Sequence, residues 1–293
     1  MIRRLSLSAI LLLVSAFGPA HATDGIDHGL LWKVEHTDID GPSYLFGTMH
    51  SADERVNDLP DDVEAAFSEA ERYRFEIDFS RMLEGEGLMQ MFYRDGRTLE
   101  NQIPDDLWER TRKAAETAGI PAANLNMMKP WAVAMILSMP QEDPTRMLDY
   151  RLFERARDSG RPVEGLESIA EQIGIFDELD DNQQMEILRQ AVSLHESGLI
   201  APIYEQMIAL YLEQDLAGLV AIADDNPALP GPADQEAFMR RLIDDRNRIM
   251  VTRMESALRE GGAFVAIGAL HLPGEQGIIR LLEGRGYRVS AVE

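Results

Sequence analysis

Apolar positions alternate with polar ones at both ends of this chain and recur at three and four spacing between them, a β, then mostly α, then β order. Residues 30–34 and 43–46 are short apolar and aromatic runs joined by Thr37-Asp38-Ile39-Asp40-Gly41-Pro42, which predicts a hairpin. A helix follows, with Pro60 in its first turn, Asp61, Asp62 and Glu64 at the positive end of its dipole, and Val63, Phe67 and Ala70 on one face. Residues 72–77 return to strand alternation.

From about 80 to 258 the spacing is helical, over 107–118, 131–138, 147–159, 184–196, 203–213 and 235–258. One strand, 161–166, interrupts it. The chain closes with an apolar strand at 263–267, a helix at 275–283 and an alternating strand at 287–292. Neither terminal set of strands makes a stable sheet alone, so the two must meet. The expectation is an α/β (α+β) fold: one mixed sheet from N- and C-terminal strands with a large central helical region. No repeat of 20 to 50 residues breaks the pattern, and no convincing linker divides residues 23–293, which are expected to form one domain.

The first 22 residues stand apart. Arg3 and Arg4 precede an apolar stretch at 5–17, and Ala20-His21-Ala22 offers the small-x-small pattern of a cleavage site. This predicts a signal peptide at 1–22 and a mature chain starting at Thr23. An apolar run of about 13 residues is short of the roughly 20 that span a bilayer as a helix. A periplasmic protein with no membrane insertion after signal removal is expected.

Composition narrows the chemistry. With 293 residues, 51 acidic and 28 basic side chains, the net charge is −23, and loss of the leader's two arginines makes it −25. Such a surface repels phosphate backbones, so nucleic acid is not an expected partner. There is no cysteine, so thiolate metal sites, thiol nucleophiles and disulfides are excluded. Any metal site must use His, Asp, Glu or Asn. The 15 methionines are spread along helices as flexible core filler rather than haem or copper ligands.

Five histidines remain after the leader: His28, His36, His50, His195 and His271. Two sit alike, because Tyr44 to His50 and Val265 to His271 each run from an apolar strand through a glycine to a histidine three residues on. Gly25 to His28 shares that spacing but lies at the mature N-terminus. A strand end followed by a tight glycine turn places the next polar side chain at the sheet edge, where α/β proteins bind ligands. Strand 72–77 supplies Glu76 and, two residues on, Asp78, which share a face; both could reach one site or neither. Two imidazoles and a carboxylate suit a divalent transition metal with an open position for water, and equally a satisfied structural role. His195-Glu196 is not an HExxH pair, since residue 199 is Leu, and belongs to a helix end.

The strings LLWKVEH, SYLFGTMHSAD, RYRFEIDFS, MMKPWAVAMIL, GRPVEGLESIAEQ, DDRNRIM and FVAIGALHLPGEQGIIRLLEGRGYRV, in this order, resemble the TraB/GumN family, related to the Tiki-type membrane metalloproteases. The likeness spans nearly the whole mature chain, and its most specific elements are Gly47 to His50, Gly268 to His271 and Glu76 between them. It implies an erythromycin esterase/ChaN-like fold and, for the Tiki branch, a metal-dependent peptidase. His50, Glu76 and His271 become the implied metal ligands, for Mn, Co or Zn. Glu76 doubles as the group that takes a proton from the attacking water. Arg246 is placed to stabilise a developing oxyanion or hold a carboxylate, and Asn247 to hydrogen-bond the same site. Glu167 is a second carboxylate, facing substrate or standing beside the Ser168 to Glu171 capping box. Lys129-Pro130-Trp131 sets a helix start and packs an aromatic.

The leading expectation is thus a periplasmic metal-dependent hydrolase acting on a peptide or small-molecule amide or ester. A metal-free variant would use a histidine directly as base. The alternative is a non-catalytic periplasmic binding protein for a peptide, haem or polysaccharide precursor. A helical interaction scaffold has no use for paired histidines at strand ends. Oligomeric state is not legible in the sequence.

Overall fold

The computed structural model describes residues 25–84, 86–224 and 232–292, so the expected leader at 1–22 lies outside the described residues. Six strands form one mixed sheet: β1 (Leu31–Glu35), β2 (Ser43–Thr48), β3 (Arg72–Ile77), β4 (Val163–Glu167), β5 (Ala263–Gly268) and β6 (Arg288–Ala291). Their spatial order is β4-β3-β5-β2-β1-β6. β1 pairs antiparallel with β2, as the turn-rich linker predicts, and with β6. β2, β5, β3 and β4 pair parallel.

The C-terminal strand β5 therefore lies between two N-terminal ones. Every residue of Ala263-Phe264-Val265-Ala266-Ile267-Gly268 is buried. A strand covered on both faces reads as a continuous apolar run, and its backbone must be paired on both edges because no water reaches it. β2 and β3 provide those edges.

Helices cover the sheet: α1 (Asp61–Glu69), α2 (Asp105–Thr117), α3 (Pro130–Leu137), α4 (Leu148–Asp158), α5 (Ile169–Asp177), α6 (Asp181–Ser197), α7 (Ile200–Leu212), α8 (Leu216–Asp224), α9 (Pro232–Met239), α10 (Asp245–Glu260) and α11 (Ile278–Glu283). Phe67 of α1 packs on Tyr73 and Phe264 at 4.8 and 5.3 Å, and Phe153 of α4 meets Phe75 edge-on at 5.5 Å. Tyr73 and Phe75 share one face of β3, so strand alternation turns Glu76 to the other. Buried rings of this size contribute ~1.5–3 kcal/mol each, which is what holds the helical shell on the sheet.

Four details depart from the expected elements. Pro60 is the residue before α1 rather than inside it. The short helices α5 and α8 were absent from the helical spacing, the first because its capping box directly follows a strand. The helix expected over 235–258 is not uniform: the π-helical segment Arg240–Asp244 separates α9 from α10. A π turn adds one residue per turn and re-aims every side chain after it, here Arg246 and Asn247. Finally, Gly47 lies within β2 and Gly268 ends β5 with φ −53°, and neither has a positive φ. The glycines do not make tight turns. A Cβ on Gly47 would stand 2.7 Å from Leu272 Cδ1 and 3.1 Å from Ala269 Cα, so glycine is needed for the close passage of the segment after β5.

Candidate active site

The C-terminal ends of four parallel strands meet at one edge of the sheet, and each delivers a polar group. β2 and β5 are in register at Thr48 and Gly268, which sets His50 and His271 just beyond neighbouring strand ends. Phe75 pairs with Ala266 and Ile77 with Glu167, so Glu76 and Glu167 lie beside them on β3 and β4. His50, Glu76, Glu167, Arg246, Asn247 and His271 are all buried.

Each imidazole is fixed through its Nδ1. His50 Nδ1 lies 2.6 Å from Asp149 Oδ2 at the start of α4, and the Thr48 hydroxyl donates to the other oxygen of Asp149. The backbone leading to the ring is held as well. Tyr204 Oη donates to the His50 carbonyl at 2.8 Å, Tyr211 Oη to that of Gly47 at 2.9 Å, and the Leu148 N–H to that of Ser51 at 3.1 Å. His271 Nδ1 lies 2.6 Å from Asn247 Oδ1. Asn247 donates its Nδ2 to the Gln276 carbonyl at 2.8 Å, which sets the amide's orientation. Its Oδ1 must then accept, so His271 carries its proton on Nδ1 and presents a lone pair at Nε2. That Nε2 is buried and has no hydrogen-bond partner.

The carboxylates are organised by one guanidinium. Arg246 Nη2 donates to Glu76 Oε1 and Glu167 Oε2 at 2.6 Å each, its Nε to Glu167 at 3.0 Å, and its Nη1 to the Leu242 carbonyl at 3.1 Å. Gln172 Nε2 adds a bond to Glu76 Oε1 at 2.8 Å, and the Gly268 N–H donates to Glu76 Oε2 at 3.0 Å. The side chain that looks in the sequence like a solvated charge is thus buried between two acids. Of the two expected uses, the geometry gives Arg246 the holding of carboxylates.

These contacts separate the titrations. Burial favours the neutral form of Glu76, but Arg246 and the neighbouring imidazoles outweigh it and hold the carboxyl at about 2. Glu167 goes the other way, raised by burial that Arg246 only partly offsets. Burial likewise lowers His271, with Arg246 adding to it, to about 3, so this ring is neutral across the physiological range. For His50, burial also opposes the charge, yet Asp149 prevails and the pKa is raised. Two histidines that look alike in sequence thus have opposite electrostatic settings, because one leans on a carboxylate and the other on an amide.

The structure brings together His50, His271, Glu76, Glu167, Arg246 and Asn247. It leaves Asp78 outside, where it accepts from the Ser80 N–H and hydroxyl instead. His36 stacks edge-on against Tyr287, and His195, on α6, bonds the Thr117 hydroxyl. Lys129 and Trp131 Nε1 both donate to Asp177 Oδ1, with Pro130 opening α3, a helix-start role as expected. Sequence reasoning missed Thr48, Asp149, Gln172, Tyr204 and Tyr211. Asp149 in a helix's first turn looks like an ordinary dipole partner, and only its burial at a strand end distinguishes it.

Does the donor set suit a divalent ion? Among the described residues, no group of three or more His, Asp or Glu side chains is arranged to hold one. Glu76 is turned to Arg246 rather than presented with the two rings as a ready triad. The two imidazoles do fit: each is oriented through Nδ1 by an oxygen acceptor, the usual support of a histidine that ligates through Nε2. The unpartnered Nε2 of His271 is an atom that costs ~1–3 kcal/mol to bury without a partner and that a cation would satisfy.

The sequence has known relatives. The family model described as TraB/PrgY/gumN matches residues 30–291. Metalloprotease TIKI2 of Danio rerio is 27% identical over 314 residues, covering 90% of this chain and 61% of the relative. The Metalloprotease TIKI homolog of Amphimedon queenslandica is 26% identical over 335 residues, covering 95% and 64%. The Uncharacterized protein YbaP of Escherichia coli is 24% identical over 189 residues, covering 63% of this chain and 67% of that one. The chain spans about three fifths of the length of the two TIKI relatives. No solved structure gives a significant match.

Proposed function

This chain belongs to the TraB/PrgY/gumN family, and on that premise we propose that it is a metal-dependent hydrolase of peptide or other amide bonds, working outside the cytoplasm. The similarity to proteins named metalloproteases supports the class of reaction. The leader-like first 22 residues support export to the periplasm. The observation that carries the reading is His271 Nε2: a buried lone pair, its tautomer fixed by Asn247, just beyond the end of β5, with a second imidazole, fixed by Asp149, just beyond the end of the neighbouring β2.

In this reading His50 and His271 hold a divalent ion of the Mn, Co or Zn kind through Nε2, and Glu76 supplies the negative charge beside it. The ion, when bound, polarises the scissile carbonyl and makes water a nucleophile near neutral pH. Asp149 and Asn247 keep the rings from rotating. Arg246 holds Glu76 ionised and in place, and neutralises one of the two acids it bridges. Arg246 and Gln172 occupy one oxygen of Glu76 and the Gly268 N–H the other, which favours Glu76 as a fixed negative charge beside the ion over a general base. Burial of the whole cluster strengthens each of these electrostatic contacts relative to water.

The test is metal content and peptide cleavage on the same samples. The protein loaded separately with Mn²⁺, Co²⁺ or Zn²⁺ is expected to retain one of them, to cleave members of a peptide library and to lose that cleavage to a chelator. His50→Ala and His271→Ala are each expected to lose the ion. Full metal content in both variants would overturn the proposed site. Cleavage that survives complete chelation would favour the metal-free use of the His50–Asp149 pair, in which the ring itself moves the proton.

A further inference from the structure

β4 is an edge of the sheet: it pairs with β3, and among the described residues no strand lies on its other side. The Tyr73 N–H bonds the Pro162 carbonyl at 2.8 Å, and Tyr73 stands opposite Val163. In a parallel ladder this phase turns the backbone of Glu164 and Leu166 toward β3 and that of Val163, Gly165 and Glu167 away from it. Among the described residues, no hydrogen bond is seen to the outward N–H and C=O groups of these three.

Edge strands are normally blunted by lysine, an inserted proline, a bulge or a covering segment. β4 has none of the first three, since Pro162 precedes it and its sequence is Val-Glu-Gly-Leu-Glu. Nor, among the described residues, does another strand cover the edge. It borders a groove of about 800 Å³, lined also by Arg81, Leu88, Ile169, Glu171 and Arg253. Arg253 donates to the Leu166 carbonyl at 2.7 Å and to Glu171 at 2.6 Å, a fixed pair rather than a mobile charge. At Gly165 a Cβ would stand 2.3 Å from the Asp78 N, so the backbone leaving β3 covers that face of the strand and only glycine fits beneath it. The strand ends at Glu167, the carboxylate clamped by Arg246 together with Glu76.

An open ladder of main-chain donors and acceptors beside a groove describes one kind of occupant. We propose that the groove binds the main chain of an extended peptide as an added strand on β4, along Val163, Gly165 and Glu167. Recognition through main-chain hydrogen bonds asks for extended backbone and little of the sequence, with side chains alternating between the groove and solvent. The proposal rests on the peptide-hydrolase reading but concerns binding alone, so the two can fail separately.

Amide hydrogen exchange on the full chain, read residue by residue, is the experiment. The probe is the neutral strand-former acetyl-Thr-Val-Thr-Val-Thr-Val-amide at saturating concentration. The amides of Val163, Gly165 and Glu167 are expected to exchange at least ~10-fold more slowly with the probe present, while Glu164 and Leu166, already bonded to β3, change little. Val163→Pro removes one outward donor without touching the β3 ladder and should abolish the effect on Gly165 and Glu167. If that variant does not fold, a probe N-methylated at alternate residues makes the same cut from the ligand side and should give no protection. Unchanged exchange at saturation, or protection that persists with the N-methylated probe, overturns the proposal. Protection without cleavage of any peptide leaves the added strand standing and removes the hydrolase; cleavage without protection does the reverse.

Discussion

Asn247 shows how much a single neutral side chain decides. Its amide is oriented by the Gln276 carbonyl, and that orientation alone puts the His271 proton on Nδ1. Asn247→Ala leaves the ring free to take the other tautomer, in which Nε2 carries a hydrogen and cannot ligate. We expect a 10–100-fold loss of metal affinity by competition titration, the usual range for removing such a support, with His271 itself intact. An unchanged affinity would mean that the ring is oriented by packing. Arg246 is the reverse case, a charge whose worth is almost wholly in its neighbours. It is bonded to two buried acids, and removing one partner of a buried ionic group leaves charge uncompensated at a cost of ~3–5 kcal/mol. Nothing in the letters Arg-Asn at 246 and 247 distinguishes that from a solvated helix face, since both occupy the same helical spacing. The same limit applies to Asp149, and to Met127 and Met128, which are adjacent in sequence yet one is about half exposed and the other fully buried.

At the scale of elements, the strands bring the chemistry together and the glycines set how closely they approach. Gly165 is the sharper example. Its Cβ would meet backbone, the Asp78 N at 2.3 Å, whereas a Cβ on Gly47 meets first the movable end of Leu272. Overpacking against backbone cannot be relieved by a rotamer change, so Gly165→Ala is expected to cost about 1–3 kcal/mol or more and to exceed Gly47→Ala in a urea denaturation series. Equal costs would count against the close crossing of the chain leaving β3 over β4. The helices were legible as types and less so as ends. The expected 131–138 and 147–159 are Pro130–Leu137 and Leu148–Asp158, because apolar spacing locates a buried face while caps fix the boundaries. The π-helical segment before α10 left no mark in the spacing, since one extra residue in a long amphipathic stretch only rotates its face.

For the whole molecule, buried titrating groups predict how stability varies with pH. His271 is lowered from 6.5 to about 3 in the folded chain, so the unfolded chain binds its proton first as pH falls. The stability it contributes is complete above 6.5 and is lost on the way down to 3. Glu76, lowered from 4.5 to about 2, adds a second loss below 4.5, while the raised Glu167 acts above 4.5, where proton uptake by the folded chain offsets part of the His271 loss. The raised His50 acts on the other side, its contribution present below 6.5 and fading as pH rises through its folded value. Thermal melts of the metal-free protein should therefore fall from pH 6.5 toward 4.5, with a slope of at most one proton, about 1.4 kcal/mol per pH unit, reduced where Glu167 titrates. His271→Gln should flatten that limb. A wild-type profile that is level across this window would show that the ring is not held neutral by burial.

The sequence by itself determined the strand–helix–strand order, the joining of the two ends in one sheet, and the likeness that singled out His50, Glu76 and His271. Those properties follow from local spacing of apolar residues and from short strings, which need no knowledge of what lies across the sheet. Only the tertiary structure decided which side chains hold those three: Asp149 on one ring, Asn247 on the other, and Arg246 joining Glu76 to Glu167. It also decided that β4, which ends in Glu167, is an edge of the sheet beside a groove. Such partners are separated by 24 to 170 positions, and their pairing is fixed by strand register and by the aim of α10 after its π turn, geometries that a one-dimensional pattern does not encode.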